Sequence, residues 1–132
     1  MASTNPLDKV SVISLFVEDV PAAKTFYLSI FDASVVFEDE HSACVRLSNL
    51  MINLLHAPEG AVLVAPAAVG GPESPRRFQL TVFVEDLDVV IQHLAAKNVK
   101  LLTGPQVQPW GVKTVTFMDP AGHSWEAAQR TT

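Results

Sequence analysis

Cysteine is nearly missing from this sequence: Cys44 is the single one among 132 residues. No intrachain disulfide can form, and no metal site built on several thiolates is available. Cys44 lies in the apolar run Ala43-Cys44-Val45 and reads as a small buried hydrophobe. Positive charge is also scarce, with nine Lys and Arg against 14 Asp and Glu, a net charge of −5, and no cluster of basic residues. That field repels a polyanion, so nucleic acid is not an expected partner, whereas a cationic or zwitterionic small molecule is compatible with it. No apolar run approaches the length of a bilayer span. No membrane partner is therefore expected. The segment Met1 to Lys9 is polar and lacks the apolar stretch of a secretion signal, which gives a cytoplasmic expectation.

What is present is globular in character: 48% hydrophobic and 17% charged residues, in a chain long enough for one domain with a real core. The chain also contains itself twice. Ile13-Ser14-Leu15-Phe16-Val17-Glu18-Asp19-Val20 matches Leu80-Thr81-Val82-Phe83-Val84-Glu85-Asp86-Leu87, identically over Phe-Val-Glu-Asp and conservatively elsewhere. Asp19 and Asp86 lie 67 positions apart, close to half the chain, so the period indicates a duplicated unit rather than a short solenoid repeat.

Each copy opens with the alternation of a two-faced strand. Ile13, Leu15 and Val17 oppose Val12, Ser14 and Phe16; Leu80, Val82 and Val84 oppose Gln79, Thr81 and Phe83. A helix follows each strand, with Asp19 and Asp86 placed as N-caps and Pro21 in a first turn, where its missing N–H matters little. Ala23, Phe26, Tyr27 and Ile30 form one apolar stripe, and Leu87, Val90, Ile91 and Leu94 form the other. Asn98 is suited to stop the second helix. Three strands are expected after each helix: Ser34 to Glu40, Ser42 to Leu47 and Leu50 to His56, then Lys100 to Thr103, Val112 to Met118 and Ser124 to Gln129. The halves, residues 8–56 and 76–130, are joined by residues 57–75, with four prolines, three glycines and no clear period. An irregular connector of that length is unusual inside a compact domain. It allows the halves either to build one cup or to be exchanged between two chains.

The motif Leu15-Phe16-Val17-Glu18-Asp19, its partner Val82-Phe83-Val84-Glu85-Asp86, and the ending Asp119-Pro120-Ala121-Gly122-His123-Ser124-Trp125-Glu126 together resemble the vicinal oxygen chelate superfamily. That superfamily includes glyoxalase I, extradiol dioxygenases, fosfomycin resistance enzymes and bleomycin resistance proteins. The resemblance runs from about Val10 to Gln129. It implies an α+β fold of two βαβββ modules forming a cup-shaped mixed sheet. Independently of any family, Asp119-Pro120 and Gly122 supply the geometry of a tight turn. Trp125 and Glu126 then face opposite sides of the last strand, with Trp125 under a helix.

In metal-dependent members the resemblance implies ligands on the first and last strand of each half, usually His and Glu. Carried over residue by residue, those positions are Val12, Asn53, Gln79 and Glu126. Valine cannot coordinate, and neutral amide oxygens are weak donors to a catalytic Zn, Ni or Fe ion. His41 and His123 fall in expected turns, His93 on a helix, and His56 on the face opposite Asn53. His123 and Glu126, three apart on a strand, point to opposite faces. No metal and no other cofactor is therefore expected, and the departure argues against a glyoxalase I activity.

By alternation the inner face of the cup carries Val12, Ser14, Phe16, Asn53, Leu55, Gln79, Thr81, Phe83, Thr114, Thr116 and Glu126, with Trp110 at its mouth. A mostly apolar cavity with a few placed polar groups suits a small molecule, and the two phenylalanines could stack on a planar ligand. Each of these side chains could instead simply fill the space between sheets. Asn53, Gln79 and Glu126 together would be costly to bury unpaired, which favours a ligand for the cup as a whole. Two functions stand. One is a binding protein like the bleomycin resistance group, sequestering a drug or metabolite as a homodimer without catalysis, with antibiotic resistance as its biological context. The other is a glyoxalase- or dioxygenase-like enzyme with a non-standard site in which Glu126 is the catalytic general base.

Overall fold

The computed structural model describes residues 6–131, so residues 1–5 of the polar N-terminal segment lie outside it. Two modules of identical topology make up the chain. The first comprises β1 (Val12–Val17), α1 (Val20–Ile30), β2 (Ser34–Glu38), β3 (Ser42–Arg46) and β4 (Met51–His56). The second comprises β5 (Leu80–Phe83), α3 (Leu87–Ala96), β6 (Thr103–Gln108), β7 (Val112–Met118) and β8 (Ser124–Arg130), and α2 (Ala57–Val64) lies between them. The sheets run β1-β4-β3-β2 and β5-β8-β7-β6. In each, the first strand pairs parallel with the last and the remaining pairs are antiparallel. Phe16 and Phe83 thus occupy equivalent places on equivalent edge strands, as the internal repeat requires.

The helix signals act as expected. Asp19 accepts from the Ala22 amide at 3.0 Å, and Asp86 accepts from the amides of Asp88 (3.0 Å) and Val89 (3.4 Å). Pro21 sits in the first turn of α1, and Asn98, just past α3, takes φ +61°. Leu15, Val17, Ile52 and Leu54 bury one face of the first sheet against Ala23 and Tyr27 of α1. The same cluster includes Leu94, Phe117 and Trp125 of the second module, so one core holds both halves together.

Three expectations need correction. The connector is not wholly irregular, because residues 57–64 form α2: Pro58 lies in its first turn, where a missing N–H is harmless, and Gly60 is buried on β1. The sixth strand begins where it was expected to end. Gly104-Pro105 reads as a stop, but β6 is an edge strand, and a register shift between Thr103 and Gln106 takes up Gly104 at φ +90° and the proline. Finally, the two four-stranded sheets share no strand pair among the described residues. A single chain leaves the cup open.

Candidate ligand site

The face away from the helices is the one singled out by alternation. In the first sheet Val12, Ser14 and Phe16 stand beside Met51, Asn53 and Leu55, and antiparallel pairing adds Ser42, Cys44 and Arg46. In the second, Thr81 and Phe83 stand beside Glu126 and Ala128, with Thr114 and Thr116 on the next strand. The structure therefore gathers the expected residues into two groups, one per sheet. No described cavity is lined by both Asn53 and Glu126. Trp110, in the β6–β7 turn, is 69% exposed and lines none of them.

Several of these side chains already have partners. Glu126 Oε1 accepts from Thr81 Oγ1 at 2.9 Å, and Gln79 Nε2 donates to Ser124 Oγ at 3.0 Å. Thr114 is 1% exposed, its hydroxyl accepting from Gln108 Nε2 at 3.1 Å. Thr116 Oγ1 lies 2.6 Å from Thr103 Oγ1 and also accepts from the Thr103 amide. Both phenylalanine rings are partly covered as well. A Cβ at Gly60 would come within 2.6 Å of the Phe16 ring, so α2 rests directly on it. The Arg130 guanidinium lies 4.2 Å from the Phe83 ring centroid. One stacking face of Phe83 is thus already occupied by a cation from the chain itself. Strand β8 runs one residue past the expected Gln129, and the alternation Glu126, Ala128 continues to Arg130, which is the signal that places it on this face.

A divalent ion at the family's position would need donors from Val12, Asn53, Gln79 and Glu126. Val12 has none, the Gln79 amide is turned to Ser124, and one Glu126 oxygen is held by Thr81. Among the described residues no three His, Cys, Asp or Glu side chains converge as a metal site. These residues do not fit a catalytic metal.

The most developed polar network lies on the helix side. Asp119, its side chain fully buried, accepts from Tyr27 Oη (2.6 Å) and bonds His123 Nδ1 (2.8 Å), while its other oxygen accepts from the Ala121 and His123 amides, both at 2.9 Å. Trp125 Nε1 donates to Tyr27 Oη at 3.0 Å. Burial alone would raise the Asp119 pKa; the hydrogen bonds from His123 and Tyr27 outweigh it and hold the carboxyl below its ordinary value. Burial first, and then the Asp119 charge, pushes the Tyr27 phenol far up. The network joins α1 of one module to the β7–β8 turn of the other. The largest of the described cavities, about 420 Å³, lies between the modules, lined by Ile13, Ile52, Leu80, Val82 and Trp125 and also by the sequence-predicted Thr81 and Phe83.

The fold is matched by known proteins. Residues 9–127 match the family model of the Glyoxalase/Bleomycin resistance protein/Dioxygenase superfamily. Among solved structures, a glyoxalase/bleomycin resistance protein/dioxygenase from Nocardioides superposes with a TM-score of 0.83 at 18% identity, over 96% of this chain and 86% of that one. A glyoxalase-related enzyme from Fulvimarina pelagi gives a TM-score of 0.79 at 24% identity, over 94% and 89% of the two chains. Lactoylglutathione lyase from Agrobacterium tumefaciens gives 0.74 at 20% identity, over 95% and 96%. At these identities the structures establish a shared fold, not a shared reaction. With the family model covering nearly its whole length, this chain belongs to the glyoxalase/bleomycin resistance protein/dioxygenase superfamily, the vicinal oxygen chelate proteins.

Proposed function

We propose that this chain is a small-molecule-binding protein of the bleomycin resistance kind, acting without a metal and as a homodimer. The observation that carries the reading is the face away from the helices. It presents Glu126 fixed by Thr81 on the second sheet, and on the two sheets together apolar side chains that one chain leaves uncovered: Val12 is 42% exposed and Phe37 58% on the first, Phe83 58% and Met118 39% on the second. Exposed apolar surface rimmed by placed polar groups is characteristic of a ligand groove or an interface, and a second copy closing the cup would make it both. Glu126 Oε1 is engaged, and its second oxygen has no protein partner among the described residues. That oxygen is the acceptor offered to a donor group on the ligand.

The test runs in two steps. A thermal-shift panel of cationic antibiotics and thiol conjugates selects a ligand, since one that binds only the folded state raises the melting temperature. Glu126→Gln is then compared with the parent protein for affinity and for turnover of that ligand. Binding without catalysis predicts an affinity loss of about 1–3 kcal/mol and no turnover in either protein. Near-intact affinity with turnover reduced by about 10²–10⁴ would instead make Glu126 a general base and the protein an enzyme. Light scattering at micromolar concentration checks the assembly: a monomer mass removes the dimer from the reading.

A further inference from the structure

A second cavity, about 230 Å³, lies between the connector and the β7–β8 turn. Its walls differ in charge from the rest of the molecule. Two of the chain's four arginines, Arg76 and Arg77, line it together with His123, and no carboxylate lines it, in a chain of net charge −5. Its apolar wall includes Phe16 and Phe78.

The basic groups are held in place by different means. Arg76 Nε donates to Gly122 O at 3.0 Å, and its two terminal nitrogens reach Ser74 O (3.3 Å) and Met118 Sδ (3.0 Å). Three of its five N–H donors are used in this way, and two remain. Gly122, at φ +90°, is what lets the connector approach: a Cβ there would come within 2.6 Å of Pro72 O. His123 is anchored through Nδ1 to Asp119. Its Nε2 has no protein partner among the described residues, and no buried side-chain nitrogen or oxygen lacks one, so Nε2 is open to solvent. His123 is among the residues lining the cavity beside Arg76 and Arg77. Arg77 is exposed and unpaired among the described residues.

From this we infer a binding site for a small organic anion, a carboxylate on a single aromatic ring, with the carboxylate between Arg76 and Arg77 and the ring against Phe16 and Phe78. Guanidinium groups recognise carboxylates through paired, charge-assisted hydrogen bonds, and the phenylalanines supply the apolar surface. The volume falls below the roughly 300–1,000 Å³ of pockets for drug-sized ligands, which limits the occupant to about one ring. The pocket is complete within one chain. It shares Phe16 with the face of the cup, so shifts at Thr81 and Glu126 distinguish binding there from binding here.

Benzoate, compared with its neutral isostere benzamide, with the cationic benzylamine and with inorganic phosphate, tests the site in the full chain by amide NMR titration. The expected result is saturable binding of benzoate, with the largest shifts at Gly70, Gly71, Arg77, Gly122 and His123, and weaker or no binding of the other three. Arg77→Gln should weaken benzoate about tenfold, while Lys97→Gln, at the end of α3, leaves it unchanged. Because Arg77 has no partner among the described residues, its replacement should leave the melting temperature in place, separating loss of a contact from loss of the fold. Equal binding of benzamide, shifts that map to Thr81 and Glu126, or an unaffected Arg77→Gln would each overturn the site. Phosphate binding as tightly as benzoate would overturn the aromatic part of the assignment.

Discussion

The two modules start from nearly the same eight residues and end differently. Phe16 and Phe83, Asp19 and Asp86, and Tyr27 and Leu94 are equivalent pairs 67 positions apart. The caps do the same work in both, and Tyr27 and Leu94 are both fully buried. Only Tyr27 carries a hydroxyl, and it reaches across to Asp119 in the other module. The returning turns differ too. Leu47 to Leu50 closes with a single backbone bond, whereas Asp119 to His123 is organised by a buried carboxylate. In the first module α2 lies on the phenylalanine, and in the second an arginine does. The repeated residues build the scaffold. Those that break the repeat join the halves and form the basic pocket.

The largest effect is expected where that asymmetry is most buried. Asp119→Ala leaves Tyr27 Oη, His123 and two amides without their acceptor, and should destabilise by about 3–5 kcal/mol in urea unfolding. Tyr27→Phe, which removes one hydroxyl from the same network, should cost less. The carboxyl also sets a pH dependence. Its folded pKa lies below the unfolded value of about 3.9, so its stabilisation is present above that value and lost as pH falls through the lower, folded one. Asp119→Ala should therefore flatten the loss of stability at acid pH. A variant within about 1 kcal/mol of the parent at neutral pH would mean the network does not join the modules energetically.

A second break in the symmetry is Gly60, which has no counterpart under Phe83. Alanine there would place a Cβ 2.6 Å from the Phe16 ring, and overpacking of that kind costs about 1–3 kcal/mol. Within a helix, alanine is otherwise favoured over glycine by about 1 kcal/mol. Gly60→Ala should thus be destabilising in the parent protein and stabilising in a Phe16→Ala background. A sign that does not reverse would show that α2 does not rest on Phe16 in solution.

The scaffold was legible because its signals are local. An Asp before an apolar stripe and period-two alternation each act within one element, and the two capped helices and the first strand of each half follow from them, while the 67-residue repeat marks the same unit twice. Errors arose where tertiary context overrode the local signal. Gly104-Pro105 is tolerated because β6 has a neighbour on one side only. Residues 57–64 become helical on the surface that β1 and β4 offer. The faces of Val12, Asn53, Gln79 and Glu126 followed from alternation, but how far apart the two sheets lie did not, since that depends on contacts such as Tyr27 with Asp119 that no periodicity encodes. Arg76, Arg77 and His123 were invisible as a group for the same reason: 46 positions separate Arg76 from the Gly122 carbonyl that holds it.

The smallest difference is in the caps, where the modules are most alike. Asp86 accepts from two amides and Asp19 from one, but the second bond to Asp86 is long at 3.4 Å. Removing an Asp cap costs about 1 kcal/mol. Asp86→Ala should exceed Asp19→Ala by no more than a few tenths, because Gln129 Oε1 still accepts from the Leu87 amide at 2.7 Å and supports the start of α3. The comparison sharpens what the shared core implies. Leu15, Tyr27, Leu94 and Trp125 belong to one cluster, so weakening either helix should destabilise both modules. Denaturant unfolding followed by tryptophan fluorescence and by far-UV circular dichroism should give one coincident transition in each variant, shifted by a similar amount. Two transitions, with Asp19→Ala moving one and Asp86→Ala the other, would mean that the halves fold as separate units and that the Tyr27–Asp119 contact only brings them together.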